Sequence, residues 1–205
     1  MKNIFALSAL AAVSLAVPAM AADGGALNDS ERAFLIEQME MSKKAFLSSI
    51  AGLSDAQWKF KPAPNVWSVA ECAEHIVLSE NFIFDSAMKV MQSPAVPRPE
   101  KSNSEVDKML AAGVQDRSHK ATAPEPITPS GKINSPADAA KAFTEKRNSN
   151  EAYVKSTSDE LRLHVAPGPV GPMDAYQFLV LMATHTARHT AQIKEVQANA
   201  SYPSK

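Results

Sequence analysis

The links between the helical stretches of this 205-residue chain are unequal, and the longest link restricts the fold most. Apolar side chains recur at three- and four-residue steps in four segments. The first spans 28–51, opened by Asn28-Asp29-Ser30-Glu31 and stopped by Gly52. The second opens at Ser68-Val69-Ala70-Glu71, a pattern in which the Ser hydroxyl takes a backbone N–H and the Glu reaches back to the cap. It runs to Gln92, and Ser93-Pro94 ends it. The third opens at Ser135-Pro136-Ala137-Asp138, with proline in the first turn and an acid at the positive helix end, and runs to Ser156. The fourth and most apolar runs from Met173 or Asp174 to Ala198. The loops 53–67 and 157–172 are short, and their prolines forbid a long helix in either. Between the second and third helices lie about forty residues rich in Pro, Ser and Lys, with room for one short helix near 104–112. A short link forces neighbouring helices to be antiparallel. A link of that length can span a 20-residue helix of about 30 Å, so the second and third helices are free to run parallel. The expected fold class is all-α: one four-helix bundle with a long crossover between helices 2 and 3.

The N-terminus is set apart from that folding unit. Met1-Lys2-Asn3 precedes an apolar run from Ile4 to Val17, and Ala19-Met20-Ala21 follows Pro18. A basic start, a short apolar core and a small-x-small ending mark a secretory signal peptide. The run is shorter than the about 20 residues of a membrane span, so no stable membrane anchor is expected. Residues 1–21 are therefore read as a cleaved signal peptide and 22–205 as a single domain, periplasmic or secreted. The one cysteine, Cys72, excludes an intramolecular disulfide and a cysteine-rich zinc site. It shares a helical face with Val69 and Ile76, where burial is expected. A formal charge of −1 gives no case for a nucleic-acid partner.

Histidines carry the chemistry. His185 and His189 lie four apart on the fourth helix, which puts both rings on one face, one turn apart. That spacing suits two ligands of one metal ion, but alone it is a weak signal that more often marks two partly exposed histidines near a helix end. Their place weighs for the metal: they continue the apolar stripe of Phe178, Leu181, Met182, Ile193 and Val196, where an unsatisfied imidazole is costly. His75, on the second helix beside Val69, Cys72 and Ile76, is a third candidate; taken alone such a histidine is more often a satisfied core or boundary residue. Three histidines from two helices would leave room for water, as catalytic zinc sites do. His119, in the crossover, and His164, before the fourth helix, have no partner at ligand spacing and are assigned to the surface, with His164 able to approach the bundle mouth. There is no G-x-S-x-G, phosphate loop, Rossmann glycine pattern or H-E-x-x-H.

Trp67-Ser68-x-x-Glu71-x-x-x-His75-Ile76, followed far downstream by His185-x-x-x-His189-x-x-Gln192-Ile193, resembles the DinB-like (DinB/YfiT) superfamily over residues 29–198. The resemblance implies a bundle in up-down-down-up order. It implies a divalent metal, zinc or nickel, held by His75, His185 and His189 with water at the open positions. Members include thiol-dependent transferases and isomerases, proteins assigned as metal-dependent hydrolases, and many with no known reaction. A signal peptide departs from the commonest cytoplasmic members, whose thiol cosubstrates are mainly cytosolic. Glu71, one turn before His75, and Gln192, one turn after His189, are candidate outer acceptors for the imidazoles. Glu71 serves equally as a capping residue alone, and Glu80 reads as a solvated helix position. Trp67 is expected to pack the entrance of the second helix. The expected function is a metal-dependent hydrolase or thiol-dependent transferase acting on a small molecule. The alternative is a non-catalytic exported metal- or ligand-binding bundle. The family and the apolar content are compatible with a homodimer.

Overall fold

The computed structural model describes residues 25–96, 103–118 and 122–204. The proposed signal peptide and His119 lie outside them. Four long helices form the bundle: α1 (Asp29–Ile50), α3 (Val69–Val90), α5 (Pro136–Ser156) and α6 (Ala175–Gln197). Each starts where its capping residue directs. The side chains of Asn28, Ser68 and Asp174 accept the backbone N–H of the third helical residue, whose Glu or Gln returns the bond. Ser135 caps α5 by accepting the Asp138 backbone N–H, with Pro136 at the first position.

Contacts between named ends give the helix directions. Phe46 near the end of α1 packs edge-on against Phe143 near the start of α5, with centroids 4.8 Å apart, so these two are antiparallel. Phe84 and Tyr153, late in α3 and α5, meet at 5.4 Å, so α3 and α5 run parallel. The Tyr176 hydroxyl donates to the Glu31 carbonyl at 2.8 Å, and Gln197 Nε2 to the Ser49 carbonyl at 2.7 Å; α1 and α6 are therefore parallel along their whole length. The order is up-down-down-up, as the long crossover allows. The crossover itself holds α4 (Asn103–Gln115), which lies on α6, and one 3₁₀ turn (Glu125–Ile127), which lies on α3.

Two apolar clusters fill the bundle, one around Phe46, Trp58, Ile76, Phe143 and Ile193, the other around Leu35, Met39, Ile83, Leu179 and Met182. Cys72 lies in the first of them, fully buried, and burial pushes its thiol pKa up to about 12. A polar layer crosses the bundle through Arg147 of α5, which is fully buried. It pairs with both oxygens of Glu80 at 2.7 and 2.8 Å and donates to the Met39 carbonyl, Ser42 and Thr186. Glu80 is thus a buried ion-pair partner and not the solvated position its sequence neighbours suggested. A charge on an inward helical face is tolerable only when paired and hydrogen-bonded, and its partner lies on another helix.

Two loops are more ordered than the sequence implies. The segment 53–67 contains a short helix, α2 (Asp55–Lys59), capped by Ser54 and anchored by the buried Trp58. The segment before α6 contains an antiparallel hairpin of β1 (Val165–Gly168) and β2 (Gly171–Asp174). Its prolines and glycines suit a tight reversal: Pro169-Val170 make the turn, and Gly171 sits at φ +114°, a conformation that disfavours any side chain.

Candidate metal centre

His75 comes from the second turn of α3, and His185 and His189 from two successive turns of α6. These helices are neighbours and antiparallel, so three imidazoles from two elements meet. One nitrogen from each lies within 4.8 Å of the others. Ring centroids are 4.3 Å apart for His75 and His189, 4.5 Å for His185 and His189, and 4.9 Å for His75 and His185. Among the described residues no carboxylate or thiol joins the group.

The bonds behind the rings decide which nitrogens face inward. His75 Nδ1 is 2.7 Å from the Ile127 carbonyl. A carbonyl only accepts, so Nδ1 carries the proton and Nε2 keeps its lone pair. His189 Nδ1 is 2.9 Å from Gln192 Oε1, and that oxygen also accepts from Arg117 Nη1 at 3.3 Å. Arginine only donates, which fixes the amide with its oxygen toward both groups. His189 therefore donates through Nδ1 and presents Nε2. His185 Nε2 lies 3.3 Å from His75 Nε2, while its buried Nδ1 has no hydrogen-bond partner among the described residues.

Burial lowers the pKa of all three imidazoles. His185 is held well below the ordinary histidine value, first by burial and then by its two histidine neighbours. His189 is pushed down to about 3, mainly by burial, and His75 is lowered by burial against the opposing Ile127 bond. At neutral pH the three rings are uncharged, which is the state that ligates a metal.

This donor set fits a divalent ion. Two zinc–imidazole bonds of about 2.0–2.1 Å meeting near the tetrahedral angle would set their nitrogens about 3.3 Å apart. The His75 and His185 Nε2 atoms stand at that separation. Without a cation, His185 is poorly served in either tautomer. A proton on Nδ1 leaves a buried donor without an acceptor, and a proton on Nε2 leaves a bare buried lone pair.

The remaining candidates separate. Gln192 touches His189. Glu71 does not touch an imidazole: its carboxylate accepts from the Ser68 backbone N–H at 2.7 Å and pairs with Lys61 at 2.7 and 2.8 Å. The place behind His75 is taken by the Ile127 carbonyl instead, a backbone group with no signal in the sequence. Trp67 packs on the group itself, its ring 4.9 Å from His75 and 6.0 Å from His189, so it walls the site as well as the helix entrance. His164 is outside the group; its Nδ1 lies 2.7 Å from the Ser93 carbonyl and ties the hairpin to the start of the crossover.

The sequence model of the DinB superfamily matches residues 38–193, which include all three histidines. The chain belongs to the DinB superfamily. It is 26% identical over 151 residues to the uncharacterized protein YuaE of Bacillus subtilis (strain 168), covering 73% of this chain and 89% of that protein. Its fold matches that of YfiT from Bacillus subtilis, with a TM-score of 0.57 over 86% of this chain and 91% of the other, at 13% identity. YfiT is described as "a probable metal-dependent hydrolase with an unusual four-helix bundle topology".

Proposed function

We propose that this protein is an exported metal-dependent enzyme that binds a divalent ion, zinc or nickel, through His75, His185 and His189, and carries out hydrolysis or thiol transfer on a small electrophile. The observation that carries the reading is the convergence of three neutral imidazoles with no fourth protein donor among the described residues. Three protein ligands are the pattern of metal sites that keep a position open for water or substrate. The description of YfiT as a metal-dependent hydrolase supports the same reading. A divalent ion in such a site acidifies a bound water or thiol and polarises a substrate oxygen.

This chain's own residues define the rest. Ile127 and Gln192 hold the His75 and His189 rings with Nε2 directed at the centre. Trp67 offers a flat apolar wall beside two of the rings. Glu71, Glu74 and Glu80 are all engaged in structural bonds, so none of these three carboxylates is free to serve as general base. Export follows from the leader-like residues 1–21, and the substrate is then a small molecule met outside the cytoplasm.

Elemental analysis of the purified protein beside His75→Ala and His189→Ala tests the site. The expected result is near-stoichiometric metal in the parent and its loss in both variants; unchanged metal in both would overturn the assignment. A screen of esterase, amidase and thiol-transfer substrates, before and after chelation, tests the enzyme. Activity that vanishes with the metal and returns on reloading supports it. Metal binding with no activity on any substrate class would favour a non-catalytic binding bundle.

A further inference from the structure

The crossover reaches the three-histidine group on two sides, directly at His75 and through Gln192 of α6 at His189. On one side the 3₁₀ turn puts the Ile127 carbonyl against His75 Nδ1. The chain just after that turn is tied to α3 by the residue next to His75. The buried Glu74 carboxylate accepts from the backbone N–H groups of Ser130, Gly131 and Lys132 at 3.1, 2.8 and 3.1 Å, and from the Ser130 hydroxyl at 3.3 Å. Successive backbone N–H groups of this kind form a cradle for an anion, and here the protein's own carboxylate fills it. On the other side, Arg117, just past α4, forms a two-pronged pair with Glu195 at 2.6 and 2.7 Å and donates its remaining arm to Gln192 Oε1. That arm settles which way the Gln192 amide faces, and so which nitrogen of His189 carries the proton.

We propose that the crossover sets the ligand-ready tautomers of His75 and His189, with Glu74 and Arg117 as the positioning residues. Glu74 clamps the segment that presents the Ile127 carbonyl. Arg117 keeps the Gln192 oxygen toward His189. Without Arg117 the amide is free to turn its NH₂ toward His189 Nδ1, which then accepts, and the proton moves to Nε2, the nitrogen needed at the centre. Without the Glu74 clamp, His75 Nδ1 loses its fixed acceptor.

The proposal deepens the metal reading but is tested first without any metal. Ring ¹⁵N shifts of the histidines are measured at pH 7.5 in chelator-treated parent protein, Glu74→Gln, Arg117→Ala, Gln192→Glu and the Arg117→Ala/Gln192→Glu pair. The parent is expected to show the Nδ1–H form at both His75 and His189. Arg117→Ala should lose it at His189 alone, and Glu74→Gln at His75 alone. A carboxylate at 192 accepts whichever way it faces, so in the Gln192→Glu background removal of Arg117 should leave His189 unchanged. Unchanged tautomers in both single variants, or an Nε2–H form at His189 in the parent, would overturn the proposal. Arg117 is partly exposed, so its variant remains a fair test even where Glu74→Gln fails to fold.

Zinc affinity by chelator competition is the second arm. Loss of an outer partner is expected to weaken zinc binding about 10–100-fold. Removing a cation near the site would by itself tighten binding of a dication, so weakening in Arg117→Ala separates positioning from simple electrostatics. Tighter or equal binding counts against the proposal. Should the parent bind zinc no better than His189→Ala, the metal reading fails, and the tautomers alone decide whether the crossover sets the rings.

Discussion

Glu71, Glu80 and Gln192 show what a sequence says about single residues. All three lie one turn or so from a histidine, yet only Gln192 touches one. Glu71 is absorbed by its cap and Lys61, both close in sequence. Glu80 finds Arg147, 67 positions away, and nothing local announces that partner. The histidines were legible because two of them sit at helical spacing on an apolar stripe, a pattern that needs an explanation. Ile127 acts through its backbone and was invisible. The buried Glu80–Arg147 pair yields a test at this scale. Glu80→Ala leaves an uncompensated buried guanidinium and should destabilise the protein by about 3–5 kcal/mol in urea unfolding. Pairing it with Arg147→Met should recover most of that loss. A double variant as unstable as the single one would show that the layer's value lies in its other bonds, to Met39, Ser42 and Thr186.

The long helices were legible as elements because each carries both a periodic apolar face and a self-contained cap. The connecting elements were not. A five-residue helix such as α2 has too few residues to show a period, and the hairpin 165–174 is dominated by Pro and Gly, which read as irregular chain. The hairpin is nonetheless built closely. A Cβ on Gly168 would come within 2.5 Å of Met173 Sδ, and Gly171 lies in a region of φ that favours glycine. Gly171→Ala has open space around it, so its cost is conformational: about 1 kcal/mol or more of stability, read as a lower thermal midpoint. An unchanged midpoint would mean that the turn relaxes without strain.

Across the whole molecule, the crossover length legibly permitted the parallel α3–α5 pair, and the resemblance supplied the up-down-down-up order. The charge cluster at the far end of the bundle was not foreseen. There the fully buried Arg162 lies 3.8 Å over the Tyr176 ring and pairs with Glu31 of α1, Asp107 of α4 and Asp174 at the start of α6. Arg162 thus faces three carboxylates. Burial raises the Asp174 pKa to about 6, against the lowering effect of Arg162. In the unfolded chain this carboxyl takes up its proton near the ordinary value of 3.8. Between the two values the native state holds more protons, so this group favours folding increasingly as pH falls from 7 through 6 toward 4. The gain is at most about 1.4 kcal/mol per pH unit. Asp174→Asn keeps the cap but abolishes the titration. The parent should therefore gain stability relative to this variant between pH 7.5 and 5; parallel pH profiles would show that Asp174 titrates as an ordinary carboxyl.

The parallel pairing of α1 with α6 has a consequence for how the chain acquires its structure. The Tyr176–Glu31 and Gln197–Ser49 bonds join residues 145 and 148 positions apart, and α6 also packs on α3 and α4. The element latest in sequence among those described is thus the hub on which the earlier ones assemble. A growing chain would hold the apolar faces of α1 and α3 without their main partner until α6 had been made. Closing so distant a contact costs loop entropy before any packing is gained, which slows folding relative to a bundle of sequential hairpins.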